Sequence, residues 1–333
     1  MMGDGKTLVT GGTGFIGSNL VEELINRSES VRCLVRQQSA GKADHLKELG
    51  AEIVFGELSD IGSIKDAMNG VEKVYHLAAI PHPLPISKEE YFKVNVEGTK
   101  NILEASLSGR IERIVYLSSI SAVGPARDGD PVDEHSPCRP IDIYGESKLE
   151  SERVAAEFFD KYKLPVVIVR SPNVFGPRDL MGLKLFKAID TGCFPVLGGG
   201  EAHFEFVYVK NLVHGIILAM EKGSPGEIYH LTDGKRYRIR EVYEAIAKEE
   251  KKSLFYLPIP VAFFRAIGNL ADKIESLTKI KLPANSTTIM TMTSDFWIVD
   301  IEKARRELGF GQKIPLEDAV KETIDWYRNN GYM

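Results

Sequence analysis

Tyr144 and Lys148 stand four residues apart in Tyr144-Gly145-Glu146-Ser147-Lys148, at the start of a helical pattern running through Glu152, Ala156 and Phe159. That spacing puts both side chains on one helix face. A phenol ordinarily titrates at about 10, so tyrosine is a poor base at neutral pH unless a nearby positive charge stabilises its phenolate. An ammonium one turn along the helix supplies that charge, and the phenol can then exchange a proton with a substrate hydroxyl or carbonyl. Alone, Tyr-x-x-x-Lys is a frequent surface pattern. Its setting raises its value, because the strand-like run Arg113–Leu117 leads into Ser118-Ser119-Ile120-Ser121. Ligands of open α/β sheets bind at the carboxyl ends of the strands, where a hydroxyl could hold a substrate oxygen beside Tyr144. Three serines compete for that place, and each could equally be a hydrogen-bonded turn residue.

A second constellation follows the first apolar run: Thr10-Gly11-Gly12-Thr13-Gly14-Phe15-Ile16-Gly17, opening an amphipathic pattern over Ser18–Ile25. Gly11 suits a tight turn, Gly14 a close approach of backbone to a pyrophosphate, and Gly17 close helix–strand packing; the helix N-terminus presents N–H groups to the anion. Dinucleotide binding is therefore expected. The next strand ends Cys33-Leu34-Val35-Arg36, where a carboxylate would bond the ribose 2′-hydroxyl of NAD and an arginine the 2′-phosphate of NADP. No acid is present there. Arg36 offers a planar fork of donors, with Arg32 or Lys42 as further charge, so NADP(H) is the expected cofactor and NAD the alternative.

The elements that must carry these groups read as a doubly wound α/β fold. Short apolar runs at Thr7–Thr10, Val31–Arg36, Glu52–Phe55, Lys73–Leu77, Arg113–Leu117 and Val166–Arg170 alternate with helical stretches, as expected of parallel strands covered on both faces. Past Arg170 the pattern is broken by Pro172, Gly176, Pro177, Gly182, Gly192, Pro195 and Gly198–Gly200, with a strand-like Ile228–Leu231 returning late. We expect a Rossmann-type dinucleotide-binding domain over 1–170, plus a strand near 227–232, and a smaller discontinuous substrate domain interleaved over 171–333. The 333 residues allow this. A net charge of −5 gives no reason to expect nucleic acid, and a small-molecule substrate is the better default. Three scattered cysteines support neither a disulfide framework nor a zinc site. With no leader-like pattern at Met1–Thr10 and no spanning run, the expected place is the cytoplasm. Val261–Ala271 comes nearest to a spanning segment, but it is short and carries Arg265. Packing is its expected role, with contact to lipid or substrate as the alternative.

Taken together the chain resembles the extended short-chain dehydrogenase/reductase family, which holds sugar-nucleotide epimerases and dehydratases, 3β-hydroxysteroid dehydrogenases and dihydroflavonol reductases. The resemblance rests on Thr10–Gly17, His76-Leu77-Ala78-Ala79, Asn95-Val96-Glu97-Gly98-Thr99, Ser118-Ser119, Tyr144-x-x-x-Lys148 and Arg170-Ser171-Pro172-Asn173-Val174-Phe175-Gly176-Pro177, and spans nearly the whole chain. It implies Tyr144, Lys148 and Ser119 as catalytic, with Ser118 the runner-up. Ala78 and Ala79 would line the cofactor through their backbone, Pro172, Asn173 and Val174 would wrap its nicotinamide end, and Asn95 would support the central helix. Glu57 stands where the family usually has an aspartate near the adenine, followed by Leu58. A homodimer is implied by the same resemblance.

Within the family, sugar-nucleotide enzymes typically place an arginine where this chain has Phe204, in Gly200-Glu201-Ala202-His203-Phe204-Glu205-Phe206. Burying a diphosphate without cationic donors is costly, although Arg178 and Lys210 lie near enough in sequence to compensate. The apolar stretch from Pro258-Ile259-Pro260 onward resembles the hydroxysteroid and dihydroflavonol branch. The expectation is an NADP(H)-dependent oxidoreductase interconverting a secondary alcohol and a ketone on an apolar small molecule. A sugar-nucleotide epimerase or dehydratase is the alternative. A non-catalytic NADP(H)-binding sensor is a third reading, although such proteins tend to lose the tyrosine or lysine that this chain keeps.

Overall fold

The computed structural model describes residues 5–81, 84, 86–127, 129–190, 193–197, 203–278, 286, 289–290 and 296–333. Six strands, β1 (Lys6–Thr10), β2 (Val31–Val35), β3 (Glu52–Phe55), β4 (Val71–His76), β5 (Arg113–Ser119) and β6 (Val166–Ser171), alternate with helices α1 (Phe15–Asn26), α2 (Ala40–Leu49), α3 (Ile61–Ala67), α4 (Lys88–Tyr91), α5 (Gly98–Ser106) and α6 (Ile143–Tyr162). Between α4 and α5 the helix widens into a π-helical stretch, Phe92–Glu97. Beyond β6 come β7 (Asn173–Phe175), α7 (Leu183–Asp190), β8 (Cys193–Leu197), β9 (His203–Tyr208), α8 (Val209–Lys222), β10 (Ile228–His230), β11 (Arg236–Arg238), α9 (Ile239–Glu249), β12 (Phe255–Ile259), α10 (Val261–Thr278), β13 (Phe296–Trp297), α11 (Glu302–Leu308) and α12 (Leu316–Asn329).

Seven strands form one parallel sheet in the order β10-β6-β5-β4-β1-β2-β3. The chain winds outward in both directions from β1, so the gap beyond β1 and β4 is the switch point where ligands of such sheets sit. Strand alternation divides the core. Val9, Cys33, Val115, Leu117, Val167 and Val169 pack against α1, α2 and α8, whereas Leu8, Leu34, Val74, Ile114, Tyr116, Val166 and Ile168 pack against α3, α5 and α6. Burial on both faces explains why these strands read as continuous apolar runs rather than alternating ones.

The expected strands are present, with shifted ends. β4 begins at Val71 and stops at His76, leaving Leu77 to extend the ladder by one bond to the Thr10 carbonyl (3.2 Å). β2 stops at Val35, and Arg36 caps a 3-10 turn. The late strand does return: Ile228–His230 closes the sheet against β6. A smaller sheet is built around β9, which pairs with β7, β11 and β13, while β12 pairs with β8. Gly192 and Gly198–Ala202 lie outside the described residues.

One buried ion pair fixes α6 against the sheet. Arg170 on β6 clamps Glu152 on α6 bidentately, Nε to Oε1 at 2.9 Å and Nη2 to Oε2 at 2.6 Å, and both residues are buried. Ser118 donates to the same carboxylate at 2.6 Å, and Arg170 also meets Cys138 Sγ and His230 Nε2 at 3.4 Å each. Removing one partner of such a pair strands a buried charge. Arg170→Met is therefore expected to cost about 3–5 kcal/mol in urea unfolding, with much of it recovered in Arg170→Met/Glu152→Leu. A single variant within about 1 kcal/mol of the parent would show that the carboxylate reaches water.

Candidate active site

At the carboxyl end of β5 successive side chains point to opposite faces, and this separates the competing serines. Ser118 is buried and bonded to Glu152. Ser119 points the other way, where its hydroxyl hydrogen-bonds the Tyr144 side chain and accepts the Ser121 N–H at 3.1 Å. Tyr144 occupies the first turn of α6, whose N-cap Asp142 accepts the Gly145 N–H at 2.6 Å. Gly145 is required there, because a Cβ would lie 2.4 Å from the Ser121 carbonyl oxygen. Burial pushes the phenol up to about 12; the Ser119 bond opposes this, while Asp142 and Tyr91 add to it. The phenol is accordingly protonated at neutral pH and is a proton donor as it stands.

Lys148, one turn on, is buried, and its ammonium takes partners that the spacing alone did not reveal. Nζ donates to the Leu117 carbonyl at 2.6 Å and lies 4.3 Å over the centroid of the Tyr116 ring. Loss of solvent lowers it to about 7, against the opposing pull of Glu152. The lysine is thus tied to β5 and the phenol to Ser119.

The glycine turn fits a dinucleotide. Gly11 has φ +76°, and a Cβ there would come within 2.8 Å of the Ala78 amide nitrogen. A Cβ at Gly17 would stand 2.1 Å from the Gly11 carbonyl oxygen, so this glycine serves the packing of α1 onto its own turn. Gly14 is the exposed N-cap of α1, and no side chain caps the N–H groups that follow it. Thr13, Phe15 and Ile16 rim the same turn. Arg36 is exposed, its carbonyl accepts the Ser39 N–H at 2.8 Å, and its guanidinium makes no ion pair or hydrogen bond among the described residues. Arg32 must be withdrawn as a phosphate ligand: it is buried, bonded to the Ala67 and Asn69 carbonyls at 2.8 and 2.7 Å and paired with Glu52. Lys42 is exposed on α2. Glu57 is exposed and takes a 3.4 Å bond from Ser59, while Leu58 offers its carbonyl to Asn101 at 2.7 Å and covers Gly98.

A directed chain of hydrogen bonds joins this turn to the π-helical stretch. Thr99 Oγ1 donates to the Asn95 carbonyl at 2.6 Å, so it can only accept from His76 Nε2 at 3.0 Å. His76, held neutral because burial lowers it to about 3, then carries its proton on Nε2 and accepts on Nδ1 from Thr10 at 2.7 Å. Thr10 Oγ1 in turn accepts the Ala78 N–H at 3.2 Å. Asn95 is buried; its amide brackets the Ile80 backbone and donates to Ser147 at 3.0 Å. Ala78 and Ala79 are half-buried, and Ala78 lies beside Gly11. His76 and Thr99 stood in the sequence only as motif members, and their polarity within an apolar setting was the available signal.

Residues 7–232 match the sequence model of the NAD dependent epimerase/dehydratase family. The chain belongs to this family. It is an extended short-chain dehydrogenase/reductase, an enzyme acting on CH–OH groups with NAD(P). It is 32% identical to the sterol demethylase protein B of Methylococcus capsulatus, over 98% of this chain and 99% of that one. It is 30% identical to the 4-hydroxy-2-methyl-3-oxo-4-farnesyl-3,4-dihydroquinoline-1-oxide ketoreductase of Stigmatella aurantiaca, over 93% and 92%. The crystal structure of gox2253 superposes with a TM-score of 0.84 at 29% identity, over 98% of this chain and 99% of that one.

In this short-chain dehydrogenase/reductase the region following Ser119 is apolar. Ile120 and Val123 are buried with Trp297, Val299 and Ile301, and Phe204 on β9 packs against that group. The two cations that might have served a diphosphate are engaged elsewhere. Arg178 pairs with Glu22 at 2.6 Å and meets His45 at 3.2 Å, and Lys210 pairs with Glu322. Pro172 is buried, while Asn173 and Val174 form β7 and tie the edge of the large sheet to β9.

The depressed lysine has a measurable consequence. Its folded-state value of about 7 lies below its ordinary 10.5, so between those values the unfolded chain binds more protons and the folded form gains stability as pH rises. In the cofactor-free protein, the stability advantage of Lys148→Met over the parent is expected to shrink steadily from pH 7 to 10. Denaturant unfolding across that range measures it, and a pH-independent gap would place the ammonium in contact with water.

Proposed function

We propose that this chain interconverts a secondary alcohol and a ketone on an apolar small molecule, with NADP(H) as its preferred cofactor. The observation that carries the reading is the Ser119–Tyr144 hydrogen bond at the carboxyl end of β5, beside an apolar region with no cation at Phe204. Gly11, Thr13, Gly14, Phe15, Ile16 and Gly17 would cradle the pyrophosphate, Arg36 the 2′-phosphate, and Glu57 and Leu58 the adenine side, with Ala78 and Ala79 lining the cofactor through their backbone. Pro172, Asn173 and Val174 would border the nicotinamide, which supplies or accepts the hydride when bound.

In the reducing direction Ser119 holds the substrate carbonyl oxygen and Tyr144 donates its phenolic proton to it. The phenolate left behind requires a cation. Lys148, one turn along α6 from Tyr144, would supply it and would also be the residue to hold the cofactor's ribose. In the oxidising direction the same proton moves from the substrate hydroxyl to Tyr144. The relatives named as acting on a sterol and on a farnesylated quinoline oxide support an apolar substrate. A sugar-nucleotide epimerase or dehydratase is the second reading, favoured by the family's name and using the same proton-transfer pair, but without net consumption of cofactor.

A panel of apolar ketones with NADPH separates these readings; absence of NADPH oxidation across it, with turnover of a sugar nucleotide, would establish the second. Tyr144→Phe is expected to lower turnover by about two to four orders of magnitude while leaving dinucleotide affinity near normal. Ser119→Ala should fall in the same assay far more than Ser118→Ala. Arg36→Asp is expected to weaken NADPH selectively and spare NADH, measured as the ratio of kcat/KM for the two; equal losses would point to damaged folding.

A further inference from the structure

The ammonium of Lys148 rests in a seat made by two consecutive residues of β5. One of its N–H donors goes to the Leu117 carbonyl at 2.6 Å, and Nζ lies 4.3 Å from the centroid of the Tyr116 ring. Lysine and tyrosine are both buried. A cation taken out of water is costly, and an aromatic face, which carries the negative side of the ring quadrupole, replaces part of the lost hydration. Burial holds the Tyr116 hydroxyl well above the ordinary value for a phenol, so the ring is neutral. The attraction is therefore to the face of the ring and not to a phenolate.

The neighbouring groups do not duplicate that contact. Glu152, one turn further along α6, favours the ammonium, but its oxygens are already held by Arg170 on β6 and Ser118 on β5. His76 on β4 stands opposite Tyr116 in the sheet and stacks on the same ring, with centroids 5.6 Å apart and an interplanar angle of 25°. It is neutral, and the nearby ammonium helps to keep it so. Tyr144 on α6 is a protonated phenol. Of the groups that meet the Tyr116 ring, Lys148 alone brings a charge. We infer that Tyr116 is a positioning residue whose ring face keeps Lys148 an ammonium in the protein interior and holds it one turn from Tyr144. The inference rests on the proposed reaction for the lysine's part in turnover, but the seat itself is measurable without substrate.

The test is an NMR titration of the cofactor-free full chain carrying lysine labelled with carbon-13 at Cε, with the Lys148 signal assigned by its loss in Lys148→Met. The parent signal should titrate at about 7. Tyr116→Phe keeps the face and should stay within about 0.3 of a pH unit of the parent, whereas Tyr116→Leu removes it and should titrate about one unit lower. Phenylalanine bearing one, two and three ring fluorines at position 116 weakens the negative face at nearly constant volume and should lower the value stepwise. That series decides the question if the leucine variant does not fold. In ketone reduction with NADPH the alkaline limb of kcat should move down in step, which loss of packing alone would not produce. A leucine variant titrating at or above the parent value, or a flat fluorinated series, overturns the inference. So does an equal shift in the phenylalanine and leucine variants, which would assign the effect to the hydroxyl. A chain that reduces no ketone yet shows these shifts would refute the proposed reaction while keeping the seat.

Discussion

A carboxylate removed from water at the centre of the molecule constrains everything around it. Glu152 is tolerable where it lies only because Arg170 grips both its oxygens and Ser118 supplies a third donor. Satisfying that one charge fixes the rotation of α6 about its axis and its height against β5 and β6. Once α6 is so placed, Lys148 must face the end of β5 and Tyr144 must meet Ser119. The geometry of the Ser119–Tyr144–Lys148 group is therefore inherited from an ion pair that lies outside it.

The same carboxylate also moderates the lysine. Burial alone strips Lys148 of the water that keeps an ammonium charged, and Glu152, one turn further along α6, acts in the opposite direction. Across the sheet a neutral His76 links the Thr10 hydroxyl to Thr99 and so to the Asn95 carbonyl. The glycine turn and the helix beside α6 are consequently joined by one chain of hydrogen bonds.

Much of this fold was legible in the sequence because parallel strands buried on both faces leave an unbroken apolar signature, and because glycines at 11, 14 and 17 have few other uses between a strand and a helix. The strand ends were less legible, since Arg36 and Leu77 differ from their neighbours only in backbone geometry. The choice between Ser118 and Ser119 depends on which residue of β5 pairs with which of β6, a register that composition does not carry. Arg32, Arg178 and Lys210 looked available as cations because charge is visible in sequence and partners are not; each proved to be engaged. The π-helical turn at Asn95 left no mark at all, being an extra residue absorbed into an otherwise ordinary helical pattern.

The late strand β10 has a consequence for how the chain is made. Until Ile228–His230 arrives, the outer edge of β6 has no neighbour, and His230 is missing from its place beside the Arg170 guanidinium. About 60 residues separate the two strands, several seconds of synthesis at ribosomal rates of about 5–20 residues per second. For that interval a nascent sheet carries an open apolar edge, the feature by which unfinished β structure recruits other chains. The growing polypeptide is thus most in need of protection not while its nucleotide-binding half emerges but just after, as the ribosome works through residues 171–230.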